Sequence, residues 1–216
     1  MRLRYAALGL LMLVPSPAAG QGAASGTLVV RRGGTEIGRE DFSFEQPRKR
    51  HLGPTLTVSA KYPSATPPVQ LGIRLERDTA GQLTLFQLDS EGPGGPSRIL
   101  AAGSGARLIL RTQAEGTETG RELPGGPDVV LLDENAYALY TAVADLARPG
   151  GTRLTAIFPR SGRRASFTAR RDGNPGAAAR ISLTGEITGT LTVAASGRLE
   201  RLEFPSAGVT VTLSDR

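Results

Sequence analysis

His51 is the single histidine of this 216-residue chain, and cysteine is absent. A zinc site built from histidine and cysteine therefore lacks its ligands, and a thiolate nucleophile does not exist. A serine triad would have to recruit His51 from Arg48-Lys49-Arg50-His51, a basic stretch that reads as a solvated loop. No Gly-x-Ser-x-Gly elbow accompanies it; Gly103-Ser104-Gly105 reads as a turn. Gly116-Thr117-Glu118-Thr119-Gly120-Arg121 lacks the lysine and following helix of a phosphate-cradling loop. No cofactor is expected.

Carboxylate pairs could serve a hydrolase, and three occur: Glu40 with Asp41, Asp133 with Glu134, and Glu200 with Glu203. Adjacent strand residues point to opposite faces, so Glu40 and Asp41 do not share a substrate. Asp133 and Glu134 are better used at the start of a helix. The densest basic group is Arg160, Arg163 and Arg164, followed by Arg170 and Arg171. The first three flank a turn at Ser161-Gly162, where they form a candidate anion-binding group. Tyr137 and Tyr140 lie three apart, on adjoining parts of one helix surface. With Leu139 and Val143 they form the candidate lining of a site for an apolar ligand.

The elements that must position these residues follow a two-residue period. Thr27–Arg31 leads through Gly33-Gly34 into Glu36–Glu45, where Phe42 and Phe44 alternate with polar side chains. Thr55–Ala60, Gln70–Glu76 and Gln82–Leu88 alternate likewise, the last two joined by the turn Asp78-Thr79-Ala80-Gly81. Arg107–Arg111, Asp128–Leu132 and Thr152–Phe158 continue the series. Ala165–Arg171, Ile181–Ile187, Thr190–Ala194, Arg198–Phe204 and Val209–Leu213 complete it. Roughly a dozen short strands with one oily and one wet face predict an all-β fold. The expected form is a curled antiparallel meander, closed as a barrel or folded as a two-layer sheet. One segment departs from the period. Asp133 as N-cap, apolar residues at Ala136, Leu139 or Tyr140, Val143 and Leu146, and the stop Pro149-Gly150-Gly151 predict an amphipathic helix over 133–147. Such a helix must plug the barrel or cover its concave face.

The first 20 residues have the layout of a secretory signal peptide. Arg2 and Arg4 form a basic head, Ala6–Val14 an apolar run, and Pro15–Gly20 a small-residue end. The run is well short of the roughly 20 residues that a spanning helix needs. The expected organisation is thus a leader over 1–20 and one domain over 21–216. That domain comprises a strand set over 26–132, the helix, and a strand set over 152–214. Export to the periplasm or medium follows, with no transmembrane span in the mature chain. Without Arg2 and Arg4, 24 basic residues face 20 acidic ones, a net charge of +4. All but Lys49 and Lys61 of the basic residues are arginine, the bias of a GC-rich genome. Exported, and with no tryptophan for base stacking, the chain is a poor nucleic-acid partner. Charged, short strands without aromatic girdles argue against an outer-membrane barrel.

The opening Gly26–Val30 followed by Glu36-Ile37-Gly38-Arg39-Glu40-Asp41-Phe42 resembles that of exported bacterial β-sheet proteins of unknown function. Val130–Asn135 entering a helix and the late strand Gly197–Phe204 are similar too. The resemblance spans most of the mature chain. It implies a curled antiparallel sheet in the cell envelope and transfers no catalytic residue. The function expected is therefore non-enzymatic: binding a lipid or other apolar or amphiphilic envelope molecule, or an envelope protein, on the curled sheet beside the helix. The alternatives are a structural or assembly factor with a packed interior and a carboxylate-dependent hydrolase.

Overall fold

The computed structural model describes residues 25–47, 51–92, 95–173 and 177–214. The leader expected over 1–20 lies outside them. Among the described residues there are fifteen strands, most of them alternating. The first eight are β1 (Ser25–Arg32), β2 (Thr35–Glu45), β3 (Thr55–Tyr62), β4 (Val69–Arg77), β5 (Leu83–Glu91), β6 (Ser97–Ser104), β7 (Arg107–Ala114) and β8 (Thr117–Pro124). After them come β9 (Val129–Leu131), a 3₁₀ turn (Tyr137–Leu139) and the helix α1 (Tyr140–Leu146). The remaining strands are β10 (Thr152–Ile157), β11 (Arg164–Asp172), β12 (Ala179–Gly185), β13 (Gly189–Val193), β14 (Leu199–Phe204) and β15 (Val209–Leu213).

All fifteen belong to one sheet. From one edge to the other its order is β8 back to β1, then β15 back to β9. Neighbours pair antiparallel except β9 with β10, which run parallel. Topology forces this sheet to curl. A flat sheet of fifteen strands would set its edges about 67 Å apart, at about 4.8 Å per strand interval. The two edge strands, β8 and β9, are consecutive in the chain and joined only by residues 125–128. That link reaches at most about 17 Å. The edges are therefore drawn together into a barrel-like wall whose seam is closed by the chain, and β9 reaches back to β5.

The concave side is dry. Leu56, Val58, Ala60 and Tyr62 of β3 point inward, with Leu71, Ile73 and Leu75 of β4 beside them. Thr57, Ser59 and Lys61 point outward and are exposed. Apolar within and polar without is the reverse of a barrel immersed in lipid. Among the described residues, no helix is long and apolar enough to cross a membrane.

The helix differs from its expected span. Of residues 133–147, only Tyr140–Leu146 is α-helical, after the 3₁₀ turn. Ala138 to Ala144 are all buried, whatever face they occupy. The element fills the curl instead of laying one stripe on it, which a short segment rich in Ala, Val and Tyr can do. Burial also explains the late start. Asp133 does not cap α1; its Oδ1 accepts the N–H of Asn135 at 2.8 Å and closes a tight turn. Two strands also escape the alternation rule. β6 includes Gly103 and Ser104, which weaken its pattern, and β8 is exposed along nearly all its length. β8 pairs with β7 through its backbone, so its side chains carry no apolar period.

Candidate functional site

The helix is held in the curl by a carboxylate from a strand far upstream in the chain. Glu40 of β2 is fully buried, in step with Gly38 and Phe42 on the inward face. Asp41, next along the strand, is exposed and accepts a bond from the Thr27 hydroxyl at 2.6 Å. Glu40 Oε1 accepts the Tyr62 hydroxyl and the backbone N–H of Tyr137, the latter at 2.8 Å. Its Oε2 accepts the N–H of Ala138, also at 2.8 Å. A helix entrance buried away from water leaves N–H groups without partners, and Glu40 supplies them from 97 residues upstream. Burial is the largest influence on this carboxyl. It outweighs the three donors and pushes the pKa up to about 7. The Tyr62 hydroxyl is likewise pushed up, by burial first and then by Glu40. A Cβ on Gly38 would stand inside the Tyr62 ring, so only glycine lets that ring lie across β2 and reach Glu40.

A second polar anchor lies just before the helix. The Asp133 side chain is fully buried and forms a forked pair with Arg160, at 2.6 Å to Nε and 2.7 Å to Nη2. Arg160 Nη2 also donates to the Asn135 side-chain oxygen at 2.9 Å. The bond to Asp133 raises the Arg160 pKa above its ordinary value. Both anchors are saturated by protein groups, which suits them to positioning.

The surface they position is aromatic. Tyr137 and Tyr140 stack with centroids 6.3 Å apart, and Phe204 of β14 meets them at 5.8 and 5.2 Å. A Cβ on Gly189 would crowd the Phe204 ring at 2.8 Å, so β13 yields space to it. These rings floor a cleft of about 310 Å³, with Phe158, Arg32 and Arg163 on its walls. The Arg163 guanidinium sits 3.6 Å over the Phe158 ring and 3.7 Å from Glu134. Burial pushes the Tyr137 hydroxyl up to about 12 and Tyr140 upward too. Both phenols thus stay protonated as donors. Among the described residues neither hydroxyl has a hydrogen-bond partner.

The sequence-derived candidates therefore divide. Tyr137, Tyr140 and Arg163 meet in this cleft. Leu139 and Val143 are fully buried in the core. Arg160 is committed to Asp133, and Arg164 stands exposed at the start of β11. Glu186 shares the cleft with Glu134 but accepts the N–H of Ser166 at 2.6 Å. Phe204, Phe158 and Arg32 escaped sequence reasoning because they come from segments far apart in the chain. Glu40 carried a usable signal: it stands in phase with Phe42 and Phe44, the only acid in that phase between Gly34 and Glu45 other than Glu36.

No family model matches this chain, and no curated protein is similar to it. Two solved structures are similar in shape. One is a DUF1089 family protein from Pseudomonas aeruginosa, 13% identical, covering 94% of this chain and 97% of its own, with a TM-score of 0.48. The other is a beta-barrel-like protein of the domain of unknown function DUF1849 from Brucella abortus. It is 10% identical and covers 89% of this chain and 95% of its own, with a TM-score of 0.49.

Proposed function

We propose that this is an exported, non-enzymatic protein of the bacterial envelope that binds an amphiphilic molecule in the aromatic cleft beside α1. The observation that carries the reading is the pair of tyrosine hydroxyls that have no hydrogen-bond partner among the described residues, set on an aromatic floor and rimmed by Arg32 and Arg163. An amphiphile would lay its apolar part on the rings, while its polar head takes hydrogen bonds from the phenols and charge from the arginines. Support for export is the basic head, apolar run and small-residue end of residues 1–20. The saturated anchors at Glu40 and Asp133 are consistent with a rigid container, since neither carboxylate is open to a substrate.

Two measurements test this. Native mass spectrometry of protein recovered without detergent should reveal a bound lipid-sized molecule, and only apoprotein would contradict the reading. The chain has no tryptophan and four tyrosines, so its emission is tyrosine fluorescence, to which Tyr137 and Tyr140 contribute. Titration with lysophosphatidylglycerol should change that emission saturably. Tyr137→Ala should weaken binding about tenfold, because stacking and one donor are lost together. Equal affinity in the variant would overturn the assignment of this cleft.

A further inference from the structure

A second cleft, at the other end of α1, is built differently. It measures about 380 Å³ and lies between the helix end and the turn at residues 78–81. Its apolar walls are Phe44, Leu56, Leu75 and Leu146. Arg77, at the end of β4, runs in beneath them. Its Nη1 donates to the carbonyl of Ala142, in the third position of α1, at 3.3 Å. Its Nη2 is buried and, among the described residues, has no hydrogen-bond partner. A guanidinium keeps its charge and its five donors, so a buried N–H without an acceptor is a cost the fold carries. The space above Nη2 is kept by Gly81, whose backbone is left-handed at φ +83°. A Cβ there would lie 3.1 Å from Leu146 and 4.0 Å from Arg77 Nη2.

Among the described residues, neither carboxylate of the cleft is paired with Arg77. Asp78 lines the cleft, but its Oδ1 is spent on the N–H groups of Ala80 and Gln82, at 2.9 and 2.8 Å. Asp145 lies at the rim, and among the described residues its carboxylate forms no hydrogen bond or ion pair. Arg77, Arg148 and Arg171 all act on it electrostatically. Arg77 and Arg148 line the cleft with Asp78 and Asp145, and Arg148 Nη1 is spent on the carbonyls of Asp145 and Ala147, at 2.7 and 3.1 Å.

From this geometry we infer that the cleft is a binding site for an oxyanion-headed amphiphile. Its carboxylate or phosphate oxygen accepts Arg77 Nη2, and its alkyl chain lies along Phe44, Leu56, Leu75 and Leu146. The inference is independent of the aromatic cleft.

The turn offers a reporter position, because Thr79 is exposed and lines the cleft. Thr79→Trp introduces the chain's only tryptophan. Its emission is titrated with octanoate, octyl phosphate and octanol. Saturable binding of one or both anions is expected, and whichever binds tighter identifies the head group. Octanol should bind at least tenfold more weakly. Adding Arg77→Gln should weaken the anions at least tenfold, and Tyr137→Ala should leave them unchanged. Should Arg77→Gln fail to fold, Arg77→Lys keeps the charge and a donor to Ala142 but loses the fork. It should weaken binding several-fold. Equal binding of octanol and the anions, or anion binding indifferent to both Arg77 variants, would overturn the site. So would an Asp145→Asn variant that removes the effect of Arg77, since Asp145 would then be the internal partner of Nη2.

Discussion

Replacing Glu40 with glutamine should abolish a pH dependence that the buried carboxyl imposes on stability. In the unfolded chain this glutamate titrates near 4.5, and in the fold near 7, because burial disfavours its charge. Between those values the folded state holds a proton that the unfolded state has released. Stability from this group is therefore complete below about pH 4.5 and is lost as pH rises through about 7. At about 1.4 kcal/mol per pH unit, the interval amounts to about 3 kcal/mol. For a domain of this size that is about 6–12 °C in melting temperature. The neutral acid remains bonded in place, since the Tyr62 hydroxyl can turn to accept its proton. In the Glu40→Gln protein the same groups titrate except this one. The assay is urea unfolding of both proteins by circular dichroism from pH 5 to pH 8. Wild type should lose about 2.5 kcal/mol relative to the variant across that range, which begins half a unit above the unfolded value. Parallel pH curves would refute the reasoning. A wild type that gains on the variant as pH rises would show that the three donors, not burial, govern the carboxyl.

Arg160→Ala should cost about 3–5 kcal/mol, because it leaves the fully buried Asp133 charge unpaired; chemical denaturation measures it, and a loss under 1 kcal/mol would contradict the pairing. Gly38→Ala should destabilise by about 1–3 kcal/mol by driving a methyl group into the Tyr62 ring, read as a lowered melting temperature. Its near-ultraviolet tyrosine signal should change as well. Ile109→Thr should change stability by no more than about 0.5 kcal/mol, since Ile109 is 45% exposed on the outer face of β7. A larger loss there would mean that the outer wall is covered in solution.

The expected helix shows why legibility varied along the chain. Its existence followed from the break in the two-residue period after Leu132, and its stop from Pro149-Gly150-Gly151. Its start was misplaced because Asp133 satisfies every local rule for an N-cap. The competitors for Asp133 and for the entrance N–H groups, Arg160 and Glu40, come from elsewhere in the chain. Likewise Tyr137 and Tyr140 were recognisable as neighbours from their spacing, whereas Phe204 arrives from β14 by sheet register. The edge strand β8 was missed because it buries too little to show a pattern.

Side-chain periodicity is a local property, and by itself it determined that this protein is a sheet with a dry face and one helical interruption. Curling depended on pairing β1 with β15, residues far apart in sequence, because that pairing puts β8 and β9 at opposite edges of the sheet while the short link between them holds the edges together. That closure alone put a glutamate from β2 beneath a helix 97 residues later. It also left Arg77 reaching Ala142 of the same helix, with one nitrogen unpartnered among the described residues. Which polar groups are satisfied once water is excluded depends on who their neighbours are, and tertiary structure decides that.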